Sequence, residues 1–120
     1  MRKNDKDRQL YRVVKPYDSV YPEPLVFRTA EELVITDKES PWRGWIWCTN
    51  QSGESRWIPE NYVERKDNKG TMRCDYDATE LTANIGEELI IEKEESGWFW
   101  CINQKKQRGW IPIECVEKIK

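Results

Sequence analysis

No histidine occurs among the 120 residues of the chain. That absence removes the commonest general base and the usual activator of a serine or cysteine nucleophile. No other grouping suggests catalysis, so neither catalytic residues nor enzymatic activity are expected. The four cysteines, Cys48, Cys74, Cys101 and Cys115, follow no zinc spacing. With no imidazole to complete a donor set, no metal and no cofactor are expected. Long apolar runs are missing too: nothing approaches the roughly 18 residues a membrane-spanning helix needs. The opening residues are charged and lack the apolar core of a secretory leader. Nor does one sign of charge dominate. Lys and Arg number 20 against 22 Asp and Glu, interspersed, for a net charge of −2. Nucleic-acid binders instead carry a clustered basic surface. Expected partners therefore include neither nucleic acid nor membrane, and the cysteine usage fits a reducing, cytoplasmic setting.

What the chain does contain, it contains twice. Gly44-Trp45-Ile46-Trp47-Cys48 is followed by Asn50-Gln51 and then Trp57-Ile58-Pro59. The same order returns 53 residues later as Gly97-Trp98-Phe99-Trp100-Cys101, Asn103-Gln104 and Trp110-Ile111-Pro112. A repeat of this length, present in two copies, indicates tandem small domains. Units this small bury only about 60% of their unfolded surface, so large rings must supply the packing at roughly 150–250 Å² each.

Short β-branched and aromatic runs bounded by turn formers predict an all-β architecture. In the first repeat the expected strands are residues 12–15, 32–36, 45–50, 55–58 and 63–65. In the second they are residues 72–75, 88–92, 98–103, 107–111 and 116–119. The domain reading is a charged tail over residues 1–11, one barrel over 12–65, a polar linker over 66–70, and a second barrel over 71–120. Side chains two apart on a strand share a face. Ile46, Cys48 and Ile58, with their counterparts Phe99, Cys101 and Ile111, are thus the expected core. Trp45, Trp47, Trp57 and Pro59 fall on an outer aromatic face, of the kind that marks binding sites. Trp47 and Trp100 are read as cross-strand packing, or alternatively as the contact between the two barrels.

These residues resemble the Src homology 3 family. Its closing motif is similar to Trp57-Ile58-Pro59-Glu60-Asn61-Tyr62-Val63 and to residues 109–116 of the second repeat. Its acidic loop and exit resemble Glu80-Leu81-Thr82 through Gly86-Glu87-Glu88-Leu89. The resemblance implies two small five-stranded Src-homology-3-like barrels in tandem. It also implies a non-catalytic module that binds a protein, typically a proline-rich segment in the polyproline II conformation lying in an aromatic groove.

Carried over residue by residue, the resemblance implies a first groove of Tyr17, Trp45, Trp57, Pro59, Asn61 and Tyr62, with Lys15 replacing one family tyrosine. It implies a second groove of Tyr76, Trp98, Trp110 and Pro112, with Cys74 and Cys115 replacing two tyrosines. Glu80 stands where the family pairs with a basic ligand residue, and Pro24 takes that place in repeat 1. Two lost rings weaken a groove by roughly tenfold to a hundredfold, so repeat 1 is the expected main site. Cys74 and Cys115 replace neighbouring residues and are expected to lie close together. The alternative functions are a structural or oligomerisation tandem, or a bacterial-type barrel binding cell-wall peptide or another non-proline ligand such as methylated lysine.

Overall fold

The computed structural model describes residues 9–21, 23–40 and 42–119. The charged stretch of residues 2–8, and the prolines at 22 and 41 within the expected loops, lie outside the described residues. Among the described residues the regular secondary structure is all strand apart from two single 3₁₀ turns. The strands are β1 (Gln9–Val13), β2 (Val26–Phe27), β3 (Glu32–Thr36), β4 (Trp45–Thr49), β5 (Ser55–Pro59), β6 (Val63–Lys66) and β7 (Lys69–Met72). They continue with β8 (Tyr76–Asp77), β9 (Glu88–Glu95), β10 (Trp98–Ile102), β11 (Arg108–Pro112) and β12 (Val116–Lys118). The 3₁₀ turns, Glu60–Tyr62 and Ile113–Cys115, follow the two matched prolines.

The two compact units are not the two sequence repeats. A central unit comprises Pro24–Ala78, and a terminal unit joins Met1–Glu23 to Thr79–Lys120. The terminal unit holds a five-stranded sheet in the order β11-β10-β9-β1-β12. The central unit holds β5-β4-β3-β7-β6, with β2 and β8 as a separate pair. Each is a five-stranded Src-homology-3-like barrel whose first strand comes from the other repeat. The expected barrel over residues 12–65 is therefore corrected: β1, at the head of repeat 1, lies between β9 and β12 of repeat 2. β7, at the head of repeat 2, lies between β3 and β6 of repeat 1. The expected tail over residues 1–11 is corrected as well, since it contains most of β1. Residues 66–70, expected as a linker, form the turn and flanks of the β6–β7 hairpin, with Asp67 in the left-handed region at φ 56°.

Alternation and turn residues locate strands but do not choose between two near-identical partners. Side-chain fit does. Tyr11 pairs with Leu89 and Lys118 and sets its ring edge-on to Phe99 at 5.1 Å. The register-equivalent residue of β7 is Gly70, paired with Leu33 and Arg65. A Cβ there would stand 2.6 Å from Val63 Cγ1 and 3.0 Å from Ile35 Cδ1. A tyrosine cannot occupy that place, so β1 cannot replace β7 without rebuilding the central core.

Two hydrogen-bond sets agree. Asp75 Oδ1 accepts from the Thr29 amide at 2.8 Å and its hydroxyl at 2.9 Å, which together hold the carboxyl below its usual range. In the terminal unit the matching pair is Pro16 and Ile85, which can form neither bond. Glu80 Oε1 accepts from Tyr17 Oη at 2.7 Å and from the Val20 amide at 2.9 Å. Its repeat-1 counterpart, Pro24, offers no side-chain acceptor.

The terminal core consists of Val13, Leu81, Ala83, Leu89, Phe99, Cys101, Ile111, Cys115 and Val116. Phe27, Leu33, Ile35, Cys48, Ile58, Val63 and Met72 are buried in the central unit. Five of the six core residues expected from alternation are buried; Ile46 is only half-buried. Burial pushes the Cys48 and Cys101 thiols up to about 12.

Removing residues 1–13 takes an interior strand from the terminal sheet. In a unit of only a few kcal/mol stability, amide signals of residues 98–112 should collapse to unfolded positions while those of residues 45–59 keep their dispersion. The reverse pattern would restore the contiguous barrels. The thiols give a second expectation. A folded state that raises a thiol pKa keeps its proton where the unfolded chain has lost it, so stability should fall as pH rises from about 9 towards 12. At pH 8 a thiol reagent should modify exposed Cys74 at once and Cys48 and Cys101 only as the protein unfolds. Equal rates at all sites would contradict this packing.

Candidate ligand-binding grooves

In the central unit, β4 and β5 set Trp45 opposite Pro59 and Trp47 opposite Trp57. The Glu60 amide donates to the Gly44 carbonyl at 2.8 Å, tying the turn before Trp45 to the first residue of the 3₁₀ turn. Gly44 has φ 89°, a value that side chains resist. At the end of that turn, Tyr62 meets Tyr76 of β8 edge-on, centroids 5.4 Å apart. The Arg73 amide donates to the Tyr62 carbonyl at 2.8 Å, fixing the arm that carries Tyr76. Asn61 is exposed.

The terminal unit repeats the plan. Trp98 stands opposite Pro112, and Trp100 opposite Trp110. Tyr17 sits edge-on to Trp98 with centroids 5.7 Å apart, its hydroxyl bonded to Glu80. Burial, then the hydrogen bond to Glu80 and that group's charge, push the Tyr17 phenol far above its ordinary range. The phenol is therefore a fixed donor. Lys15, in place of a family tyrosine, is bridged to Glu114 at 3.3 Å, and Cys115 is buried beside it, its thiol raised by burial.

Three expectations need correction. Tyr17 does not share a groove with Trp45, nor Tyr76 with Trp98; the strand exchange gives Tyr17 to Trp98 and Tyr76 to Tyr62. Cys74 lies in the central unit and Cys115 in the terminal unit, so the two do not replace neighbouring tyrosines of a single groove. The outer aromatic face is also largely covered. Relative exposure is 8% for Trp45 and Tyr62, 5% for Trp98, 4% for Tyr76 and 3% for Trp110. Pro59 and Pro112 are buried too. Alternation tells which face a ring takes but not what lies on it. Trp110, for example, exchanges backbone bonds with Thr79 and Leu81, whose arm runs along β11.

Among the described residues, half-buried rings are Tyr11, Tyr17, Tyr21, Trp42, Trp47, Trp57 and Trp100. Among the described residues no cluster of three or more potential metal ligands occurs, and no helix is long and apolar enough to cross a membrane.

Sequence comparison agrees with this architecture. The model of the variant SH3 domain, a form of the Src homology 3 domain, matches residues 10–65 and again residues 73–119. Intersectin-2 of Mus musculus is 30% identical over 133 aligned positions, covering 89% of this chain and 8% of that protein. SH3 and PX domain-containing protein 2B, of Mus musculus and of Homo sapiens, is 38% identical over 42 positions, covering 34% of this chain and 4% of the relative. The chain thus spans less than a tenth of the length of these relatives. No solved structure matches. Two family matches in order, together covering most of the chain, agree with two five-stranded barrels built around paired tryptophans and closing prolines: the chain belongs to the variant SH3 domain family of protein-interaction modules.

Proposed function

We infer that the chain binds proline-rich segments of a partner protein in the cytoplasm, mainly through the central unit. The observation that carries this reading is that strand exchange leaves the central unit with Trp45, Pro59, Asn61, Tyr62 and Tyr76 together, lacking one family ring where Cys74 stands. The terminal unit has Lys15 and Cys115 at two wall positions, and its Glu80 is already engaged by Tyr17 and Val20. A polyproline II ligand has little entropy left to lose, and its flat rings suit flat aromatic walls.

The burial of Trp45 and Tyr62 sets a condition. Their rings must become accessible when the ligand docks, and apparent affinity falls by the fraction of molecules in the open form. Each factor of ten in that fraction costs about 1.4 kcal/mol. The same burial favours a second reading, in which the rings serve only to hold a structural tandem together.

Titration with a pooled proline-rich peptide library, read at the indole N–H signals, separates the two. Saturable shifts at Trp45 and Trp57 are expected. Exposed Asn61→Ala should weaken binding by roughly three- to tenfold, the worth of one hydrogen bond. Tyr76→Phe should perturb the same groove and Tyr17→Phe should not. Absence of any saturable shift would leave the structural reading.

A further inference from the structure

A half-buried aromatic surface of the central unit already holds a cation. Trp47 and Trp57 face each other across β4 and β5 with centroids 5.1 Å apart and planes at 66°. Their rings make an open corner rather than a stack. Lys38, exposed in the loop after β3, brings its Nζ within 3.8 Å of the Trp47 centroid and 5.8 Å of the Trp57 centroid. Both distances lie within the roughly 6 Å over which a ring quadrupole attracts an ammonium. Among the described residues, the ammonium has these two rings as its partners.

The equivalent corner of the terminal unit serves as an internal comparison. Trp100 and Trp110 meet at 5.4 Å and 64°. Trp110 is buried there at 3% exposure, with residues 79–81 bonded along its strand. In the central unit, by contrast, Trp47 and Trp57 are both half-buried.

We propose that the Trp47–Trp57 corner is a binding site for a methylated lysine side chain of a partner protein, and that Lys38 is its internal occupant in the free chain. The geometry selects the ligand. A corner between two inclined rings suits a rounded cation touching both, whereas a planar guanidinium stacks best on one face. Methylation is what lets an incoming lysine compete. An unmodified lysine has the same head group as Lys38 but lacks the high effective concentration of a tethered group. A methylated ammonium gives up less hydration and adds apolar contact with the indoles. The site shares Trp57 with the proline-rich groove but involves neither Pro59 nor Asn61 and needs no proline in the ligand, so a probe without proline tests it independently of the polyproline reading.

The test uses the full chain and N-acetyl-trimethyllysine methylamide, with its neutral carbon isostere, in which a tert-butyl group replaces trimethylammonium. Binding is read at the indole N–H signals of Trp47 and Trp57. The trimethylammonium probe should shift both signals saturably. Lys38→Ala, at an exposed position, should tighten that binding by roughly two- to fivefold. Trp57→Leu should abolish the response at Trp47 while the β4 amide signals stay dispersed, and the isostere should leave both indoles unmoved. If folded Lys38→Ala protein shows no saturable shift, or the neutral isostere or unmethylated lysine binds equally well, the proposal is wrong.

Discussion

The contact between Tyr11 and Phe99, set against the space denied at Gly70, decides which strand belongs to which barrel. Each sheet needs an interior strand beside the long loop, and the chain carries two candidates. The central sheet leaves less than a van der Waals contact distance for a Cβ at the Gly70 position, because the Val63 and Ile35 side chains fill it. The terminal sheet has room there and fills it with a phenol ring against Phe99. An aromatic pair of this kind contributes about 0.5–1.5 kcal/mol beyond its buried area. Placing Tyr11 in the central sheet would forfeit that and force the core apart. The Asp75–Thr29 and Glu80–Tyr17 bonds push the same way, so local preferences agree with one global connectivity.

That connectivity reassigns the functional surfaces. Each groove is a composite, with its loop arm from one repeat and its tryptophan, proline and 3₁₀ turn from the other. A ligand held by Trp45 would therefore depend on Tyr76 rather than Tyr17, although Tyr17 lies in the same sequence repeat as Trp45. The exchange also distinguishes the two outer ring pairs. Trp110 is covered by the arm that Glu80 begins, while Trp57 stays half-exposed beside Lys38. Two copies of one motif thereby present different chemistry: an indole pair with Trp110 buried in one unit and a cation-filled corner in the other.

Much of this was legible in the residues. β3 was bounded as found, and β4, β5 and β11 to within a residue at either end, because alternation and the Asn50 and Asn103 turns mark them sharply. In both turns the asparagine Oδ1 accepts two amides ahead of it. The exchange was not legible from periodicity, which is the same for β1 and β7. A signal did exist in the unequal pair Tyr11 and Gly70, but it acquires meaning only against Val63 and Ile35 in three dimensions. Burial of Trp45 and Trp98 was hidden for a related reason. A strand pattern assigns the face of a ring, and the covering tyrosine or loop arm comes from elsewhere in the chain. Lys38 carried no motif at all; its place over Trp47 follows from the course of a loop.

Nuclear Overhauser contacts of Tyr11 test the exchange most directly. The account predicts contacts from its ring to Phe99 and from its backbone to Leu89 and Lys118. Contacts from Tyr11 to Leu33 and Arg65, with Gly70 then beside Leu89 and Lys118, would contradict it.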